Sequence, residues 1–351
     1  MILKAVKIKK KYIYMNIIAI FMIGSIFSLT LLKSFATQEV GTEKVEEKKY
    51  IKWVDFNVTE ELLDKTAKID IASHTKEGET PINWITLLAY LAAKYGGNFK
   101  SFKQKDLDTI VQKLKDGESI EQITENMKLY PYYYESYEAI LKEYIGEYEI
   151  ETIQADGSKC YQKKYGIKAF LPVAKNYGFS HYDDFGASRS YGYKRTHLGN
   201  DLMGAIGTPI IAVESGTVEA AGWNQYGGWR VGIRSFDKKR YYYYAHLRKD
   251  HPFAKEIEEG KVVKAGDVIG YLGMTGYSSK ENVNNINVPH LHFGLQLIFD
   301  ESQKEGTNQI WIDVYGLINF LKKNKSEVYK AYEDTKDYER KYDIMDTNIP
   351  E

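Results

Sequence analysis

The hydrophobic period of the chain changes once, near Gly157, and that switch limits the fold more than any other feature. Before it, apolar residues recur three and four positions apart: Trp84, Leu87, Leu88 and Leu91, then Leu107, Ile110, Val111 and Leu114, then Tyr137, Ile140, Leu141 and Ile145. That spacing stacks side chains on one face of a helix. Thr80 before Pro81 reads as an N-cap with a first-turn proline, and Gly96-Gly97 as a helix stop. After Gly157, short β-type runs alternate with glycine turns: Val213 to Trp223, Trp229 to Phe236, Arg240 to Leu247 and His290 to Phe299. An apolar helix is expected from about Val314 to Leu321. The expected class is α+β, a mainly antiparallel β domain over 165–325 preceded by an all-helical accessory module over 51–150. The segment 326–351 reads as an acidic, solvated tail, with seven acids against three bases in the last 21 residues.

Lys4, Lys7, Lys9, Lys10 and Lys11 precede an apolar run from Tyr12 to Leu32, which as a helix can cross a bilayer core of ~30 Å. Ser34-Phe35-Ala36 offers a cleavage site, so residues 1–33 are expected to be a basic stub with a retained membrane anchor, or a removed signal peptide. Residues 34–50 read as a tether. Clustered lysines stay cytoplasmic, which places the remainder outside the cell membrane, single-pass if anchored and secreted if cleaved. The 48 basic and 48 acidic residues leave no basic excess for nucleic acid. One cysteine, Cys160, excludes a disulfide framework and a thiolate-rich zinc site in a monomer.

The chemistry gathers at four of the seven histidines. His197-Leu-Gly-Asn-Asp201 is a His-x3-Asp segment, and His290-Leu-His292 opens a strand. Along that strand Leu291, Phe293, Leu295 and Leu297 alternate with His290 and His292, so both imidazoles share the solvated face, their Cα atoms roughly 6.5–7 Å apart. Two imidazoles and a carboxylate, His197, Asp201 and His292, suit a catalytic Zn²⁺ with one open position, one ion per chain. Iron(II) accepts the same donor set, but an oxygenase needs a soluble co-substrate that an exported domain lacks. In Arg240-Tyr-Tyr-Tyr-Tyr-Ala-His246, alternation puts His246 on one face with Tyr242 and Tyr244 while Tyr243 and Leu247 pack inward. One ring of the His-x-His can bind the metal while the other reaches the water it holds, His246 can enter the same groove, and the hydroxyl of Tyr191 or Tyr193 is a candidate oxyanion donor. His74, His181 and His251 stand apart from these motifs and read as structural.

The segments THLGNDLMGAIGTPIIAVESGTVEAAGW, YAHL, AGDVIGYLGMTG and PHLHFGL, in that order over roughly 180–320, resemble the lysostaphin/LytM-type zinc endopeptidases of peptidoglycan. The resemblance implies an open, curved sheet with a metal groove, zinc on His197, Asp201 and His292, and catalytic roles for His290 and His246. GWNQYGGWRVGIRSF followed by YAHL is similar to the sporulation-associated branch that cuts the L-alanyl–D-glutamate bond of the stem peptide. An Asn-rich insertion between Ser278 and Val288 departs from that pattern. The implied partners are peptidoglycan peptides and, through the N-terminus, the membrane, with a protein partner for the helical module. The alternative is a scaffold protein that uses the same fold to dock a partner.

Arginine usage gives separate support for an anionic substrate. The chain has 41 lysines and seven arginines, yet six of those arginines lie within residues 189–248. Arginine grips a carboxylate with a planar fork that lysine lacks. Arg189 and Arg195 are therefore candidate substrate ligands.

Overall fold

The structure, a computed structural model, describes residues 50–191, 193–331 and 336–346. The anchor, signal and tether readings fall on residues outside these. Among the described residues, no helix is long and apolar enough to cross a membrane.

Five helices come first: α1 (Glu60–Thr75), α2 (Trp84–Tyr95), α3 (Gln104–Lys115), α4 (Ile120–Thr124) and α5 (Tyr130–Leu141). The Thr59 hydroxyl caps α1 by accepting from the Leu62 N–H, and Glu60 and Glu61 meet the positive end of its dipole. Helix α2 begins later than Thr80-Pro81 suggests. The Asn83 side chain accepts the Ile85 and Thr86 N–H groups, and buried Asp70 takes the Trp84 N–H at 2.8 Å, so the cap lies at Asn83. Gly96 closes the helix at φ 62°, a conformation only glycine adopts cheaply.

The accessory region is not helical to its end. A hairpin of β1 (Ile145–Ile153) and β2 (Lys159–Ile167) follows α5, tied by Glu147–Lys163 and Glu151–Lys159 pairs. Ile145 fits the helical spacing because it is buried, but it is the first residue of a strand.

The remaining strands are β3 (Phe179–His181), β4 (Ser188–Tyr191), β5 (Tyr193–Thr196), β6 (Asn200–Gly204), β7 (Pro209–Ile211), β8 (Gly216–Asn224), β9 (Gly228–Ser235), β10 (Arg240–Ala245), β11 (Val262–Val263), β12 (Val268–Tyr271), β13 (His290–Leu297) and β14 (Ile310–Ile312). Then come α6 (Tyr315–Leu321), β15 (Val328–Lys330), β16 (Tyr338–Arg340) and β17 (Ile344–Met345). Eight strands build the main antiparallel sheet in the order β11-β8-β9-β10-β13-β6-β3, with β14 also on β13. Its inner face carries Val231, Ile233, Tyr242, Tyr244, Leu291, Phe293 and Leu295, all essentially without exposure.

Helices and sheet share one core. Trp84 of α2 stacks on Phe320 of α6 at 5.7 Å. Arg240, fully buried, grips Glu214 with two nitrogens and donates to the Ala139 carbonyl near the end of α5. A buried ion pair of this kind is costly to break, because the survivor keeps its desolvation penalty. The C-terminal residues are not a free tail either. Strand β17 pairs with β1, Ile344 is buried, and Arg340 binds Asp343 and the Ala265 carbonyl. The acids of this segment answer fixed cations as well as solvent.

Candidate metal centre and active-site groove

Strands β6 and β13 bring the ligands together by register. Asp201 lies opposite His292 and Met203 opposite His290, so both histidines of the His-x-His face the same side as the carboxylate. His197, just before β6, completes the cluster. Its Nε2 is 3.0 Å from Asp201 Oδ1 and 2.9 Å from His292 Nδ1, and His292 Nδ1 is 3.0 Å from the same oxygen. The three donor atoms lie within 4.8 Å of one another.

The donor set fits a cation. His197 Nδ1–H donates to the Asp184 carbonyl at 3.1 Å, which fixes the tautomer and leaves Nε2 as a bare lone pair aimed at the cluster. Burial alone would raise the Asp201 carboxyl, yet the histidines packed against it, His292 and His290 among them, hold it well below the usual carboxylate range. Burial lowers His292. An ionised carboxylate beside neutral imidazoles is the state that binds Zn²⁺.

Asp184 carries no motif, and its role emerges only in three dimensions. Its carboxylate meets His197 Nδ1 at 3.2 Å and pairs with Arg189. Arg189 also stands 3.7 Å from Asp201. It lines the groove, but its guanidinium is engaged by the residues around the ligands.

Both catalytic candidates reach the cluster. His290 Nδ1–H donates to the Val288 carbonyl and His246 Nδ1–H to the Thr275 carbonyl, each at 2.8 Å, so each presents Nε2. His290 Nε2 is 3.7 Å from Asp201, and the His246 and His290 rings are 4.8 Å apart. Burial pushes His246 well below its ordinary value, and the His290 and His292 charges add to this.

His246 arrives by a different route from the one strand alternation predicts. Tyr242 and Tyr244 pack into the core against Phe293, whereas Tyr243 lies in the groove with its ring 5.9 Å from His292. Continued alternation would bury His246 with Tyr244. Its backbone instead takes φ 62°, which ends the strand and turns the imidazole to the groove side. The inward position assigned to Tyr243 is therefore wrong, while Leu247 is buried as expected.

The groove above the ligands encloses about 330 Å³ and is bordered by Arg195, Tyr243, Tyr277 and the Asn285–Asn287 stretch. The Asn-rich insertion forms a fixed wall, since Asn282 accepts from Trp229 Nε1 and Asn285 donates to the Tyr277 carbonyl. The side chains of Tyr191 and Tyr193 lie outside the described residues. Arg234 and Arg240 are held by acidic partners and Arg248 lies over Tyr271, so the arginine clustering is only partly a groove feature. His74, His181 and His251 sit elsewhere, on Tyr165, Asn319 and Asp337.

The family model for peptidase family M23 matches residues 195–305, a stretch that begins at Arg195 and includes His197, Asp201, His246, His290 and His292. Residues 195–305 are an M23 peptidase domain. M23 peptidases are zinc metallopeptidases, and His197, Asp201 and His292 are the residues of this chain able to hold the ion. The L-Ala–D-Glu endopeptidase of Bacillus subtilis (strain 168) is 39% identical over 131 residues, covering 37% of this chain and 38% of that protein. Lysostaphin of Staphylococcus staphylolyticus is 40% identical over 98 residues, covering 28% and 18%. The solved catalytic domain of Staphylococcus simulans lysostaphin is 31% identical, covering 37% of this chain and 84% of that one, with a TM-score of 0.29. The chain thus spans well under half the length of these two curated relatives.

Proposed function

We propose that the protein is a zinc-dependent endopeptidase that hydrolyses peptide bonds in bacterial peptidoglycan, with the L-alanyl–D-glutamate bond of the stem peptide as its target. The observation that carries the reading is the convergence of His197, Asp201 and His292 with two further imidazoles that each present Nε2. Zinc held there would supply Lewis acidity toward a carbonyl and a water acidified to a pKa of about 7. His290, with its Nδ1 proton committed to Val288, accepts the proton of the attacking water at Nε2 and returns it to the leaving amine. His246 stays neutral by burial and, with its Nδ1 proton committed to Thr275, accepts a hydrogen bond at Nε2 that orients the attacking water. Tyr243 and the Asn285–Asn287 wall orient the peptide in the groove.

A scaffold that docks a partner needs no such set of lone pairs aimed at one point, so the hydrolytic reading is preferred. We also place the M23 domain outside the cytoplasmic membrane, on the lysine-flanked apolar run at the N-terminus. The test is mass spectrometry of fragments released from defined muropeptides. Release that needs zinc and disappears in Asp201→Ala is expected, with new N-terminal glutamate marking the bond. Release that persists after chelation contradicts the proposal.

A further inference from the structure

The sheet register extends the ligand row toward a residue that the reading above leaves unused. Asp201 faces His292 and His292 faces Ala245, across β6, β13 and β10. The next strand in that row, β9, presents Arg230, one residue beyond the Tyr244–Val231 pair and opposite Gly222 of β8. Two strand spacings put the Arg230 backbone roughly 10 Å from that of His292. A second cavity of about 530 Å³ opens there and shares Arg195, Tyr243 and His292 with the groove. Trp311 forms one wall, seated so close over Gly294 that a Cβ there would meet its ring at 2.8 Å.

The charges in this cavity are unbalanced. Arg230 Nη1 and Arg195 Nε are buried without a hydrogen-bond partner among the described residues. Arg195 lies over the Tyr277 ring at 4.9 Å, which fixes the plane of its guanidinium. Lys304 is held by Glu219, and Glu305 stands exposed at the rim. Buried guanidinium nitrogens without an acceptor carry a desolvation cost that an entering carboxylate recovers. An extended peptide advances ~3.3–3.6 Å per residue, so a peptide with its scissile carbonyl at the ligands reaches this cavity within two or three residues.

We propose that Arg195 and Arg230 form a subsite for a substrate carboxylate lying two to three residues or less from the scissile bond. The proposal rests on the endopeptidase reading and assigns its specificity. Two sources supply such a group: a glutamate joined through only one of its carboxyls, and the C-terminal carboxylate of the peptide.

The experiment compares kcat/KM on matched muropeptides in which each of these carboxylates is free or amidated. Amidating one of them lowers wild-type kcat/KM ~10–100-fold, and which one identifies the source. Arg230→Met loses a similar factor on the free substrate and no longer discriminates, with Arg230→Lys intermediate. Equal wild-type rates on every member, or an Arg230→Met loss indifferent to substrate charge, overturn the subsite. Calorimetric binding of the same peptides to His290→Gln keeps the two readings apart. Charge-selective binding without wild-type cleavage keeps the subsite and defeats the hydrolytic reading, cleavage without charge selectivity does the reverse, and neither result defeats both.

Discussion

Gly199 offers a way to move one ligand without touching its chemistry. It lies between His197 and Asp201, outside the left-handed region, so its backbone accepts alanine. An added Cβ would stand 2.5 Å from the Phe293 carbonyl oxygen, 2.9 Å from His292 Cε1 and 3.0 Å from His292 Nε2. Ordinary contact needs about 3.4 Å or more, so the His292 ring must retreat by about half an ångström and β13 by more. The donor atoms that meet at 2.9–3.0 Å then no longer converge. Displacing or loosening a ligand in this way costs ~10–100-fold in metal affinity, and misplacement near 1 Å costs a similar factor in rate. The assay is zinc competition against a chromogenic chelator, with kcat/KM measured at saturating zinc and circular dichroism confirming the fold. A Gly199→Ala protein with wild-type zinc affinity and wild-type turnover would refute the steric reasoning.

Three further outcomes follow from the same contacts. Asp184→Ala removes the carboxylate that meets His197 Nδ1 and holds Arg189, while the backbone carbonyl still fixes the tautomer, and should weaken zinc binding about 10-fold by the same competition assay, with the fold retained. His246→Ala should lower kcat by ~10²–10⁴ while zinc content stays at the wild-type level, because His246 is no ligand. Glu214→Ala leaves the fully buried Arg240 guanidinium without its bidentate partner and should destabilise the protein by about 3–5 kcal/mol in urea unfolding, with Glu214→Gln costing less.

The ligand set was legible because it depends on local rules. Strand alternation alone puts His290 and His292 on one face, and β13 obeys it. The same rule failed at His246, where one left-handed residue reversed the side-chain direction. The cap of α2 fell at Asn83 rather than Thr80 because Asp70, in another helix, takes the Trp84 N–H. Asp184 was invisible as a site residue, and Arg230 could not be singled out from the six clustered arginines, for a related reason. One acts through a histidine thirteen positions away, and the other joins the ligand row only through the register of four strands. The β1–β2 hairpin and the packed C-terminus were hidden by dense charge, whose partners lie across strands rather than along the chain.

The most direct test of the account is zinc-edge X-ray absorption on the full-length protein, with metal content measured on the same sample. One zinc per chain is expected, with three protein nitrogen or oxygen ligands and a solvent oxygen at about 2.0–2.2 Å, and that signal is lost in His292→Ala. A protein that holds no zinc, or a His292→Ala protein whose stoichiometry and spectrum match the wild type, would contradict it.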